Sequence, residues 1–245
     1  MMTSYRLGII ACCGLLIATA SSCARLVSQP TPTQNVTKKK EINSLLSAQI
    51  SQIVVKVIAK SSSGSGIILN KNNNVYSVVT NRHVVSRGSQ YQIQTSDGNI
   101  YQGKLRNMSQ QEDLAVLEFK SDRLYAVAKI TSAPLKTKDS LLSAGFPFDS
   151  DRLQITSGRL LLKTHKPLKQ GYQLGYTNFI YKGMSGGAIF NTLGEVVGVN
   201  GRSANPIIPD YQYQDLSYPA EHLQQQMTQL SWGIPIDKAI ELINN

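Results

Sequence analysis

The 245-residue sequence predicts an all-β domain closed by a C-terminal helix. Three observations carry that expectation. Short runs rich in Val, Ile, Leu and Tyr recur between polar and glycine-bearing segments. The pair Asp97-Gly98 separates two of them with the chemistry of a tight hairpin turn. Apolar residues at clear helical spacing occur mainly at the chain end.

Taken in order, the elements begin after a processing segment. Arg6 precedes an apolar stretch over 7–20, about the length of a signal-peptide core and short for a membrane span, and small residues follow. Residues 1–23 are expected to be a signal peptide, with export to a periplasmic or extracellular compartment. Two processing sites remain open. Ala18-Thr19-Ala20 fits a small-x-small cut, whereas Ala20-Ser21-Ser22-Cys23 resembles a lipoprotein box in which Cys23 would carry lipid and tether the protein to a membrane. Residues 24–44, with Pro30, Pro32 and Lys38-Lys39-Lys40, read as a flexible linker ahead of a domain over 45–245. All three cysteines, Cys12, Cys13 and Cys23, belong to the leader or its edge, so this domain has no disulfide and relies on its core.

Within the domain, strands are expected over 53–59, 66–69, 76–80, 114–119 and 195–199. Tyr91, Ile93 and Thr95 alternate with polar residues up to the Asp97-Gly98 turn, and 100–105 returns as the second arm. The glutamine-rich stretch from Gln212 to Gln229 reads as an exposed insertion with a helical piece, placed to shape a neighbouring cleft. At the end, Asp237 is expected to cap a helix whose Ile236, Ala239, Ile240 and Ile243 share one face.

Three segments carry chemistry: Thr80-Asn81-Arg82-His83-Val84-Val85, Glu112-Asp113-Leu114-Ala115-Val116-Leu117 and Gly183-Met184-Ser185-Gly186-Gly187. A serine hydroxyl is a poor nucleophile near neutral pH. It needs an imidazole to take its proton and a buried carboxylate to hold that imidazole in one tautomer. His83, Asp113 and Ser185 are the candidates, and in a Gly-x-Ser turn the N–H groups of Gly183 and Ser185 can converge on an oxyanion. Each segment alone is weak: Ser-Gly-Gly is usually a loop, a histidine before Val-Val an ordinary core or surface residue, and Asp113 a strand-start carboxylate. Their joint order is what carries the reading. His165 and His222 lack such a context and are expected at the surface.

These residues, in this order, resemble the trypsin-like (chymotrypsin-fold) serine proteases, most closely the compact bacterial ones of the HtrA type. The resemblance extends to Ser63-Gly64-Ser65-Gly66, Ala144-Gly145-Phe146-Pro147-Phe148, Ile155-Thr156-Ser157-Gly158, the stretch 176–189, Gly194 to Asn200 and Trp232-Gly233-Ile234-Pro235-Ile236, with a gap near 206–231. It implies two six-stranded antiparallel β-barrels, about 45–125 and 126–245, with the site between them and the terminal helix against the second. It also implies a serine endopeptidase acting on protein or peptide substrates through an acyl-enzyme, with Phe179 and Asn200 among the substrate-binding residues. Phe179, six residues before Ser185, replaces the aspartate that selects basic side chains in the digestive members, so a shallow pocket for small or apolar side chains is expected. Too few residues follow Arg202 for a PDZ domain of the HtrA kind. Met184 is a departure, because the family usually has a polar residue before the nucleophile. It leaves an alternative: a catalytically inactive pseudoprotease that binds peptides or regulates a partner.

A net charge of +10 comes without a nucleic-acid-binding motif and reads as a solvated basic surface. No metal or organic cofactor is expected, since no His, Cys or carboxylate cluster has ligand spacing.

Overall fold

A computed structural model of the protein describes residues 44–60, 62–86 and 88–245. The expected leader, Cys23 and nearly all of the linker lie outside the described residues. From residue 44 the chain is helical to 53 (α1). It then runs through β1 (Val54–Ala59), β2 (Ser62–Asn72), β3 (Val75–Thr80), a one-turn helix α2 (Arg82–Val85), β4 (Tyr91–Gln94), β5 (Ile100–Met108) and β6 (Ala115–Lys120). These six strands close into an antiparallel barrel in the order β1-β2-β3-β6-β5-β4. A second closed barrel repeats the pattern with β7 (Ser140–Gly145), β8 (Gln154–Lys163), β9 (Leu174–Tyr176), β10 (Ala188–Phe190), β11 (Val196–Arg202) and β12 (Ser231–Pro235). Helices α3 (Glu221–Thr228) and α4 (Ile236–Asn244) flank β12. Closure leaves no free sheet edge, which accounts for two barrels where an open sheet of the same strands would have exposed unpaired backbone.

Local chemistry explains the strands that were legible. In β4, Tyr91 and Ile93 are buried while Gln92 is exposed, the period of two that a barrel wall demands. Gly98 sits at φ +81°, a left-handed conformation that glycine adopts without a steric cost, and its N–H donates to the Thr95 carbonyl at 2.9 Å. Strand β2 is longer than its apolar run suggests, because Asn70, Lys71 and Asn72 are exposed on the sheet and held by pairing to β3. Strand β8 is mostly half-buried or exposed, so periodicity did not mark it.

Each barrel has its own core, built around Val57, Ile68, Tyr76 and Leu117 in the first and Leu141, Leu160, Tyr176 and Ile189 in the second. A third and larger cluster joins them, with Ile67, Val79, Leu114, Phe190, Val199 and Trp232. Helix α4 contributes Ile236, Ala239 and Ile243 to that shared cluster, and its Leu242 carbonyl accepts from Asn107 Nδ2 of β5 at 3.2 Å. The helix packs on the second barrel, as expected, and braces the first as well. Its N-cap position is Pro235 and no side chain caps it, so Asp237 lies in the first turn, where its charge favours the helix dipole.

Candidate active site

The end of β3 delivers His83. Thr80 closes the strand, Asn81 is extended, and α2 follows with Val84 and Val85 buried as anchors. His83 is left with half of its side chain exposed at the mouth of a cleft. Asn81, itself fully buried, donates from Nδ2 to the Asp113 carbonyl at 2.8 Å and so ties the histidine turn to the start of β6.

Asp113 is 2% exposed and takes three donors. The His83 backbone N–H reaches Oδ1 at 2.9 Å, His83 Nδ1 lies 2.6 Å from Oδ2, and the Tyr172 hydroxyl donates to the same Oδ2 at 2.5 Å. An ionised carboxylate only accepts, so Nδ1 carries the proton of this bond. Burial works against the charged form of Asp113, yet the hydrogen bonds and charge of His83 and the Tyr172 bond outweigh it and hold the carboxyl below its ordinary range. Burial, followed by the Asp113 charge, pushes the Tyr172 phenol well above its ordinary value, so it is a neutral donor.

The loop carrying Ser185 lies between β9 and β10. Ser65 of the first barrel clamps it: the Ser65 N–H donates to the Ser185 carbonyl at 2.8 Å, and Ser65 Oγ donates to the Gly183 carbonyl at 2.9 Å while accepting from the Phe146 N–H at 2.8 Å. From below, Asn200 accepts at its carbonyl from the Gly186 N–H at 2.9 Å and donates to the Gly187 carbonyl at 2.8 Å. Gly183 has φ +97°, and a Cβ there would stand 2.4 Å from Phe148 N. The amides of Met184, Gly186 and Gly187 are all bonded internally, whereas among the described residues those of Gly183 and Ser185 have no protein acceptor. Ser185 Oγ donates to the Gly201 carbonyl at 3.1 Å and not to His83.

His83, Asp113, Gly183 and Ser185 thus face one cleft of about 790 Å³. Three residues singled out from the sequence sit differently. Phe179 does not line the cleft: it is 63% exposed and packs edge-on against Tyr181, because along this extended segment its neighbours Asn178 and Ile180 point inward. Ile180, with Trp232 and Tyr211, supplies the apolar wall instead. Asn200 is fully buried beneath the loop, where Oδ1 accepts from Ser143 Oγ at 2.7 Å and Tyr176 OH at 2.8 Å, and Nδ2 donates to the Ala144 and Ala188 carbonyls, each at 3.3 Å. It is therefore out of reach of a bound peptide. Met184 is buried among Leu141, Tyr176 and Ile189, with its sulfur accepting the Tyr181 N–H at 3.4 Å, so it is part of the barrel core and leaves the cleft lining alone.

Ser65 and Tyr172 are the residues that sequence reading missed. Ser65 lies just ahead of the strand expected over 66–69 and carried no role of its own, and nothing local distinguishes Tyr172 from a core tyrosine. The segment after β11 reaches the cleft through Pro206, Ile208, Asp210 and Tyr211, ahead of the glutamine-rich stretch 212–229 that was expected to shape it and that supplies no lining residue. His165 and His222 are exposed. Among the described residues no group of three His, Cys, Asp or Glu side chains is placed to hold a metal ion.

A model of the trypsin-like peptidase domain matches residues 64–199. Among curated proteins the chain is similar to the serine protease Do-like HtrA of Bacillus subtilis, 30% identical over 150 residues, which is 58% of this chain and 33% of that protein. It is likewise similar to the serine endoprotease DegS of Haemophilus influenzae, 29% identical over 154 residues (59% and 44% of the two chains). The periplasmic serine endoprotease DegP of Escherichia coli is 31% identical over 144 residues, 56% of this chain and 29% of its own length. The matches span between 29% and 44% of the length of these relatives.

Proposed function

The chain belongs to the trypsin-like peptidase domain family, and from that premise we propose that it is a serine endopeptidase with His83, Asp113 and Ser185 as its triad. The observation that carries this reading is the buried Asp113 bonded to a half-exposed His83 and facing, across one cleft, a serine whose own amide and that of Gly183 have no protein acceptor among the described residues. His83 Nε2 takes the Ser185 proton as Oγ attacks the peptide carbonyl. The Gly183 and Ser185 amides hold the oxyanion, and protonated His83 releases the amine. Water then hydrolyses the acyl-enzyme with His83 again as base. Oγ first rotates away from the Gly201 carbonyl, in keeping with catalytic hydrogen bonds that tighten only when substrate is bound.

Specificity follows from the cleft wall. Ile180, Tyr211 and Trp232 are apolar or aromatic, and the cations Lys182 and Arg202 face the same space. The one exposed carboxylate there, Asp210, is 3.7 Å from Lys169. We therefore assign a preference for uncharged, apolar side chains before the cleaved bond and against Arg or Lys. A peptide library cleaved mainly after Arg or Lys contradicts that assignment. Export is proposed from the leader-like residues 1–23 and agrees with the periplasmic relative. A diacylglyceryl group on Cys23, read by mass spectrometry, is the outcome that would make the protein a tethered one.

Labelling of the purified mature protein with a fluorophosphonate probe tests the activity without a known substrate. Labelling of the wild type that disappears in Ser185→Ala and His83→Ala is the expected result. The second reading, a peptide-binding pseudoprotease, draws on the orientation of Ser185 Oγ toward Gly201. A folded wild type that is never labelled selects it.

A further inference from the structure

Resting on the peptidase reading, we propose that Tyr172 is a positioning residue of the triad: a phenol from the second barrel that donates to Asp113, fixes its orientation and weakens its pull on the His83 ring. Tyr172 is 1% exposed, and its hydroxyl reaches the same Oδ2 that lies 2.6 Å from His83 Nδ1. Two donors on one oxygen share its negative charge, so each bond is weaker than it would be alone.

The surroundings are shaped for this ring. At Gly201 a Cβ would lie 2.1 Å from Tyr172 Cε1 and 2.6 Å from its hydroxyl, so β11 carries no side chain where the phenol sits. The Arg202 guanidinium lies over the ring, 4.4 Å from its centroid, and is held in turn by the Gln170 side chain at 2.8 Å and the Asp210 carbonyl at 3.0 Å. Gln170 returns to the triad, because its carbonyl accepts the Asp113 N–H at 2.8 Å. The ring is thus fixed on its face by a cation and at its edge by bare backbone, with its hydroxyl on a buried carboxylate. The glycine makes room for the ring, and a phenol serving only as core filler would need no aligned acceptor for its hydroxyl.

Other charges near the pair are arranged to leave this coupling dominant. Arg82 of α2 turns away to the Ser109 and Gln110 carbonyls, and Glu112 accepts from Ser109 Oγ. On the cleft wall stand Lys182, Arg202 and Asp210, the last 3.7 Å from Lys169.

The test compares wild type, Tyr172→Phe and a chain with 3,5-difluorotyrosine at 172. Two quantities are read: the pH dependence of the fluorophosphonate labelling rate, and the NMR resonance of the His83 Nδ1 proton, which needs no turnover. Loss of the donor concentrates the Asp113 charge on His83. Tyr172→Phe is therefore expected to move the acid limb of the labelling profile upward by about half a pH unit or more and to lower the plateau rate about tenfold. Its Nδ1 proton shifts downfield. The fluorinated phenol, a stronger donor of nearly the same shape, is expected to move both readouts the opposite way, and it decides the matter if Tyr172→Phe does not fold. An Nδ1 resonance and an acid limb that stay where they are in both chains overturn the role of Tyr172. A wild type that is not labelled overturns the peptidase reading instead, while the resonance still reports whether Tyr172 and His83 are coupled.

Discussion

Replacing Asn200 by alanine separates a residue that supports the nucleophile loop from one that touches substrate. The side chain makes four hydrogen bonds in a fully buried site, two to its oxygen at 2.7 and 2.8 Å and two from its nitrogen at 3.3 Å. Alanine leaves the Ser143 and Tyr176 hydroxyls without their acceptor, at about 1–3 kcal/mol each, and leaves a small cavity besides. The longer bonds to the Ala144 and Ala188 carbonyls add less. A loss of about 3–5 kcal/mol is expected, a large share of the roughly 5–15 kcal/mol that holds a domain folded. With a urea slope of about 2 kcal/mol/M the unfolding midpoint falls by about 2 M, with the slope unchanged. Circular dichroism across a urea series reads this directly. A midpoint within about 0.5 M of wild type, combined with a raised KM, would refute the buried support role and return Asn200 to the substrate.

Three further outcomes are expected. Gly183→Ala places a methyl 2.4 Å from Phe148 N at φ +97°, so the turn must shift, and with it the amides proposed to hold the oxyanion; labelling should slow about 10²–10³-fold, and a wild-type rate would sink the assignment of these amides. Met184→Asn puts an amide among Leu141, Tyr176 and Ile189, so a loss of about 2–4 kcal/mol in urea unfolding is expected with no gain in labelling; a more stable or faster variant would show that the polar residue belongs there. Asp97 is held down from 3.8 to about 2, burial being outweighed by hydrogen bonds from Thr95, Asn99 and Tyr125. A depressed carboxylate adds stability that is present above its unfolded value and disappears as pH falls from about 4 toward 2; with its side chain 37% exposed this amounts to about 1 kcal/mol. The stability gap between wild type and Asp97→Asn should close over that range, and a gap independent of pH would contradict the sign.

Much of the fold was legible because its strands obey local rules. The alternation of Tyr91 and Ile93, the Asp97-Gly98 turn and the apolar runs leading into β3 and β6 each report a barrel wall through their immediate neighbours. Strand β8 and the polar end of β2 were not, since exposed residues are held there by pairing with other strands and leave no pattern along the chain. The same division runs through the site. His83, Asp113, Gly183 and Ser185 were singled out through motif order, and the structure brings all four to one cleft. Phe179 was misplaced because the one-residue alternation of 178–180 decides which side faces inward, and Asn200 because a strand-end asparagine looks alike whether it meets substrate or four buried partners.

By itself the sequence determined which side chains are on offer: a serine in a glycine-bearing turn, a histidine and an aspartate, each beside a strand that can hold it. These properties belong to residue types and short spacings, and no distant partner is needed to read them. Only the tertiary structure decided that Tyr172 from one barrel completes the coordination of Asp113 in the other, that Ser65 crosses the cleft to clamp Gly183 and Ser185, and that Met184 is buried as core. The first two depend on contacts between residues 59 and 118 positions apart, which form when two closed barrels meet, and the third on closure of the second barrel around its own core; none leaves a local trace in the chain.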